Sequence, residues 1–254
     1  MIGLLAGFPS AADCASQMVR SGIISRSDGE RCLAFTNNPG IVFVVCAVGG
    51  GLFGSYSVGI YLWIIQTVTA VLIGILVATP RGANPSNRVT SSSEVFHRAF
   101  PKAVVSSVNS VLNICGFVVF FRVLIAVLTS AVPLDQTKTL LSGLLEITCG
   151  ISFLNDFSLF SAALASMMLG WSGFSVHFQI LNVISSVGLS ARYYFPGKVL
   201  QALLSTGITV VTYPIFFRAS SQVSPIAVGL LSFLILTVLI IRFRKEYYYG
   251  KQGF

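Results

Sequence analysis

Charge is scarce in this chain. Only 9% of its 254 residues are charged, and Asp and Glu together number eight, where an ordinary soluble domain carries about 25% charge. That shortage excludes a conventional solvated surface. Histidine occurs twice, at His97 and His177, far apart in sequence. No HExxH, P-loop or GxSxG pattern is present, so no enzyme is expected. The five cysteines (Cys14, Cys32, Cys46, Cys115, Cys149) form no CxxC and have no ligand-like partners. They read as small apolar filler, with no metal and no cofactor implied. The start lacks a basic n-region, so no cleavable signal peptide is expected.

Apolar residues fill the space left by charge. They make up 54% of the chain, and the mean hydropathy is +0.84. These values predict an all-α integral membrane protein, multi-pass in the cell membrane, with the lipid bilayer as its main surroundings. The net charge of +8 comes mostly from residues between apolar runs. That is the positive-inside pattern, so no nucleic-acid surface is read here.

Residues Met1 to Val19 are mildly apolar, carry Asp13 and are interrupted at Gly7-Phe8-Pro9-Ser10, which predicts a broken or partial helix. A polar connector follows. Its Ser27–Glu30 (SDGE) has the form of a capping box for a short helix, ending at Asn37-Asn38-Pro39-Gly40. Ile41 to Phe53 is apolar but too short to cross alone, whereas Tyr56 to Thr79 is a full span. The Pro-, Ser- and Asn-rich stretch Pro80 to Ser93 divides the chain. Glu94 to Lys102 reads as an interfacial helix before the span Ala103 to Ala131. Leu140 to Phe157 is apolar except for Glu146 and weakens at Cys149-Gly150. Phe160 to Leu169 leads to a second interruption, and Ser172 to Val187 continues beyond it. Spans at Pro196 to Phe217 and Pro225 to Ile241 precede a basic, aromatic tail.

Three units are expected: a first membrane repeat over 1–80, a basic linker with its interfacial helix over 81–102, and a second repeat over 103–254. Charge on the linker and tail requires the region from Leu140 to Val187 to add one net crossing, as a re-entrant hairpin plus one span. It sends the helix after the first break toward the basic side and the helix after the second away from it. Two inverted repeats with broken or re-entrant helices result. GLLAG at Gly3 pairs with GLLEI at Gly143, and Pro39-Gly40 with Ser172-Gly173.

Two breaks concentrate the polar groups. Gly170 to Gln179 (GWSGFSVHFQ) and Thr36 to Val45 (TNNPGIVFVV) each free helix N–H groups, which attract anions. Asn37, Asn38, Gly40, Ser172, Gly173, Ser175, His177 and Gln179 are the candidate solute-binding residues. The competing reading is hydrogen-bonded glue between helices. Glu146 is costly inside hydrocarbon and is read as a proton or cation carrier, as a structural partner of Arg122, or as a neutral, protonated acid hydrogen-bonded to backbone.

The motifs GLLAGFPSAA, GxIS…ERCLAFTNNPG, NSVLNICGFVVFF, GLLEITCG, GWSGFSVHFQ and GKVLQALLS run in order along nearly the whole chain. In them the sequence resembles the YlbJ (SpoVV) family of sporulation integral membrane proteins, within the nucleoside-recognition or Gate group. Family members begin with further membrane helices. The resemblance therefore implies a chain that is a fragment or starts late, with a homo-oligomer or a partner supplying those helices. It further implies a transporter of a small polar or anionic solute, dipicolinate-like, acting in spore formation. A nucleoside-type solute, or a non-transporting Gate-domain subunit, is the alternative.

Overall fold

The computed structural model describes residues 7–78, 96–130, 135–154 and 156–218 of the chain. Every regular element among them is helical. Four helices are long and apolar enough to cross a membrane: Tyr56–Val77, Ala103–Ser130, Leu159–Ser185 and Tyr194–Phe217. The all-α expectation therefore holds. Residues 3–6 of GLLAG, the linker Pro80 to Ser93, the span Pro225 to Ile241 and the tail lie outside the described residues.

Helix α1 is Ser10–Arg20, and α2 is Arg26–Thr36. The capping serine of α2 is Ser25, not Ser27. Its hydroxyl accepts from Asp28 N at 3.1 Å while its backbone is extended, and Arg26 is already helical. The box thus sits two residues earlier than SDGE suggests, because Asp28 reciprocates with the nearer serine at 2.6 Å. Pro39 disfavours helix at Asn38, and α2 ends at Thr36. A π-helical segment, Phe43–Leu52, follows. Its wider coil brings Gly49 against Gly59 of α3 (Tyr56–Val77), where an added Cβ would lie 2.5 Å from the Gly59 Cα.

Helix α4, Phe96–Ser130, absorbs the expected interfacial helix into one rod, with Pro101 inside it just past the first turn, where the ring removes one intrahelical hydrogen bond. Most of its apolar side chains face outward, among them Val105, Leu112, Val119 and Val123, as a lipid-facing helix requires. Helices α5 (Asp135–Leu145) and α6 (Ile147–Ser152) meet at Glu146. The break therefore lies three residues before Cys149-Gly150, which are helical. Gly150 folds back until an added Cβ would lie 2.2 Å from the Gly143 Cα. The pair is a hairpin. Helix α7 is Leu159–Trp171, α8 is Gly173–Ser185 and α9 is Tyr194–Arg218.

Contacts fix the directions. Along α9, Tyr194 meets His177, Ala202 meets Gly170, Ser205 meets Ser166 and Tyr213 meets Phe157. Helix α9 is therefore antiparallel to α7 and α8 taken as one broken crossing. Phe35 meets Gly74 of α3 and Val45 meets Gly59, so α2 and the π-helix together form a second interrupted segment, antiparallel to α3. Since Gln66 and Tyr61 of α3 meet Gln201 and Thr209 of α9, α3 and α9 are antiparallel. The two interrupted segments then run in opposite senses. The helix after the first break leads away from the linker end, and α8 leads toward it. This reverses the directions expected from charge, because the short π-helix–α3 turn commits the former to the far end.

Two apolar clusters lie one toward each end. Val44, Val48, Tyr61, Ile65, Ile151 and Leu169 belong to the far one. Ala12, Leu33, Val176, Ile180, Ile184 and Tyr194 belong to the one at the linker end.

Candidate functional site

Between those clusters runs a buried polar face of α9. Tyr194, Lys198, Gln201, Ser205 and Thr209 are all fully buried, and their spacing of three and four residues places them on one side of the helix. Sequence reading singled out none of the five. The signal was present as helical periodicity: polar residues at these intervals in an otherwise apolar span mark a face turned away from lipid.

Lys198 and Gln201 connect this face to the first break. Lys198 Nζ donates to the Asn37 carbonyl at 3.0 Å and to Gln201 Oε1 at 2.9 Å. Gln201 Nε2 donates to Asn38 Oδ1 at 2.7 Å, and it also reaches the carbonyl and Oε1 of Gln66 at 3.3 and 3.2 Å. Gln66 Nε2 in turn donates to the Ser166 carbonyl at 3.0 Å, which Ser205 Oγ joins at 2.9 Å. Ser166 and Thr209 share a hydroxyl hydrogen bond of 2.6 Å. Asn37 Nδ2 bonds back to Leu33 O at 3.1 Å, leaving Asn37 Oδ1 buried without a partner.

At the second break Ser172 and Gly173 are consecutive left-handed residues, φ 78° and 79°. A serine in this region is strained by about 1–2 kcal/mol. Gly173 packs on the α5–α6 turn, where an added Cβ would lie 3.2 Å from Glu146 Cα. The first break repeats the device: Gly7, at φ 81°, meets Gly40 with an added Cβ 2.7 Å from its N. Each break is thus packed closely against a second segment of the chain.

Of the predicted site residues, Asn37 and Asn38 come together with the α9 face. Ser172 is buried, its hydroxyl donating to Leu169 O at 3.3 Å. Ser175 accepts from Gln179 at 3.4 Å within α8. His177 Nδ1 lies 2.7 Å from Tyr194 Oη, ringed by Trp171, Phe174 and Phe195. His177 Nε2 has no partner. Gly40 and Gly173 serve the close approaches.

Glu146 caps α6. Thr148 N donates to Oε1 at 3.0 Å and Cys149 N to Oε2 at 2.8 Å, with the Thr148 hydroxyl donating as well. Arg122 reaches not the carboxylate but Cys149 Sγ, at 3.0 Å from Nε. Cys149 therefore stands between the two charges. Among the described residues no group of His, Cys, Asp and Glu could hold a metal ion.

At the linker end Glu30, nearly buried, ties α2 to the α8–α9 loop. It accepts from Ser190 N at 3.0 Å and pairs with Arg192 at 3.0 Å and Arg26 at 3.6 Å.

No family model matches the chain, and no solved structure matches it significantly. The chain is 26% identical to the sporulation integral membrane protein YlbJ of Bacillus subtilis (strain 168) over 260 aligned residues. The likeness covers 86% of this chain and 64% of that protein, so the chain spans less than two thirds of its relative's length. With the ordered motifs of the sequence and the helical membrane architecture, this likeness supports the YlbJ family of sporulation integral membrane proteins as the family of the chain.

Proposed function

We propose that the chain is a multi-pass carrier in the cell membrane, moving a small polar or anionic solute through a site at the level of the two breaks. The observation that carries this reading is the meeting of two antiparallel interrupted segments with the buried polar face of α9. Glue between helices needs one or two polar groups. Here Asn37, Asn38, Gln66, Ser166, Lys198, Gln201, Ser205 and Thr209 form one connected layer. We read the interrupted segments as broken crossings of inverted repeats, whose rocking would expose the layer to each side in turn. The relative's name suggests a role in spore formation, and the family resemblance makes a dipicolinate-like planar anion the first solute to test. A nucleoside is the second.

The test is uptake of labelled dipicolinate and uridine into proteoliposomes. Uptake of either above empty vesicles is expected, falling at least tenfold in Asn38→Ala and in Ser172→Ala/His177→Ala with protein retained in the membrane. No uptake of either solute by the full chain would count against the carrier and for a subunit that does not transport.

A further inference from the structure

Among the described residues Lys198 meets no counter-charge. It is fully buried, and the antiparallel register that pairs Tyr194 with His177 and Ala202 with Gly170 sets it level with Gly173 at the second break. An ammonium has three hydrogens to donate. Two go to neutral oxygens, Asn37 O and Gln201 Oε1, and the third meets no described protein acceptor. The described ion pairs join Arg26 and Arg192 to Glu30 and Arg31 to Asp28, and none includes Lys198. Of the two buried carboxylates described, Glu146 is committed to the N-terminus of α6 and Glu30 to Ser190, Arg192 and Arg26. A buried charge left in this condition is strongly unfavourable, and its usual complement is an opposite charge.

We propose that Lys198 is the anion-binding residue of this chain, holding one negatively charged oxygen group of a small solute through its unshared hydrogen. Asn37 Oδ1 is a second, independent sign of an absent ligand. It is buried and unpartnered in the same residue whose carbonyl Lys198 holds. It offers an acceptor, so the preferred anion carries its own N–H or O–H donor. His177 Nε2 is likewise buried and unpartnered one helical turn toward the linker end, beyond Tyr194. The inference deepens the carrier reading and rests on it only in taking the layer to be reachable by solute.

The experiment uses the full chain in lipid nanodiscs and three pairs of probes that each carry an O–H donor and are matched in shape but not charge: glycolate and glycolamide, lactate and lactamide, salicylate and salicylamide. Thermal unfolding is followed against probe concentration. At least one anion is expected to act at a tenfold lower concentration than its amide. Lys198→Met should abolish that difference, and Lys198→Arg should keep it. A companion measurement needs no variant: reductive methylation of Lys198, read by mass spectrometry, should slow at least tenfold with the effective anion and not with its amide. Equal action of anion and amide in all three pairs, or a preference that survives Lys198→Met, overturns the proposal. Anion preference without uptake of any solute sinks the carrier and keeps the site. Uptake indifferent to Lys198→Met does the reverse.

Discussion

Gln201 on α9 donates through Nε2 to Oε1 of Gln66 on α3 at 3.2 Å. Among the described residues this is the one hydrogen bond between a side chain of α3 and a side chain of α9 apart from Tyr61 to Thr212 at the far end. Since Gln201 also holds Asn38 and Gln66 holds the Ser166 carbonyl, one contact couples both halves of the chain.

Truncating either glutamine strands partners that have no access to water. Gln201→Ala and Gln66→Ala should each cost about 1–3 kcal/mol. Their effects should be non-additive by at least about 0.5 kcal/mol, as for residues of one network. A double-mutant cycle on unfolding of the detergent-solubilised protein measures this. Strict additivity would mean that the two residues act separately.

Helix α7 approaches α9 through Gly170, where an added Cβ would sit 2.7 Å from the Ala202 Cα. Backbone cannot yield as a side chain can. Gly170→Ala should therefore part the helices, at about 1–3 kcal/mol. Gly116→Ala on outward-facing α4 meets nothing within 4 Å and should be neutral or slightly stabilising. Thermal melting of the two variants side by side checks the contrast.

Glu146 acts as an N-cap, so its charge should matter less than its oxygens. Glu146→Ala is expected to lose about 1–2 kcal/mol, the usual value of a cap, while Glu146→Asp should retain most of it. In the uptake assay Glu146→Asp should keep transport. A variant of normal stability that no longer transports would return Glu146 to the role of a proton or cation carrier.

The Glu30 clamp makes a separate prediction for the linker end. Glu30→Ala frees Arg192 and Arg26 and leaves Ser190 N without its acceptor, at about 1–3 kcal/mol. Glu30→Gln keeps an acceptor for that N–H and should cost less. Hydrogen exchange of residues 186–193 is the readout, with faster exchange in Glu30→Ala than in Glu30→Gln.

Much of this architecture was legible because hydrocarbon tolerates few polar residues. Pro39-Gly40 and Ser172-Gly173 announced both breaks; of the hairpin plus one crossing that charge counting required over residues 140–187, the structure shows α5 and α6 folded as a hairpin and α7–α8 long and apolar enough to cross. The position of the hairpin turn was less legible. A carboxylate usually signals ionic chemistry in such a run, and nothing local told that Glu146 would cap a six-residue helix. Lys198 escaped notice for a different reason. Read by segment, it stands near the start of its span, as a headgroup lysine would. Only the register against α7 and α8, a tertiary fact, carries it inward. The π-helical widening at Phe43–Leu52, which sets Gly49 against Gly59, has no local signature in the sequence.

The apolar core comes in two pieces separated by the polar layer. On the carrier reading, such a division would let one end loosen while the other stayed packed. Each cluster would then act as a stopper on its own side of the shared polar waist.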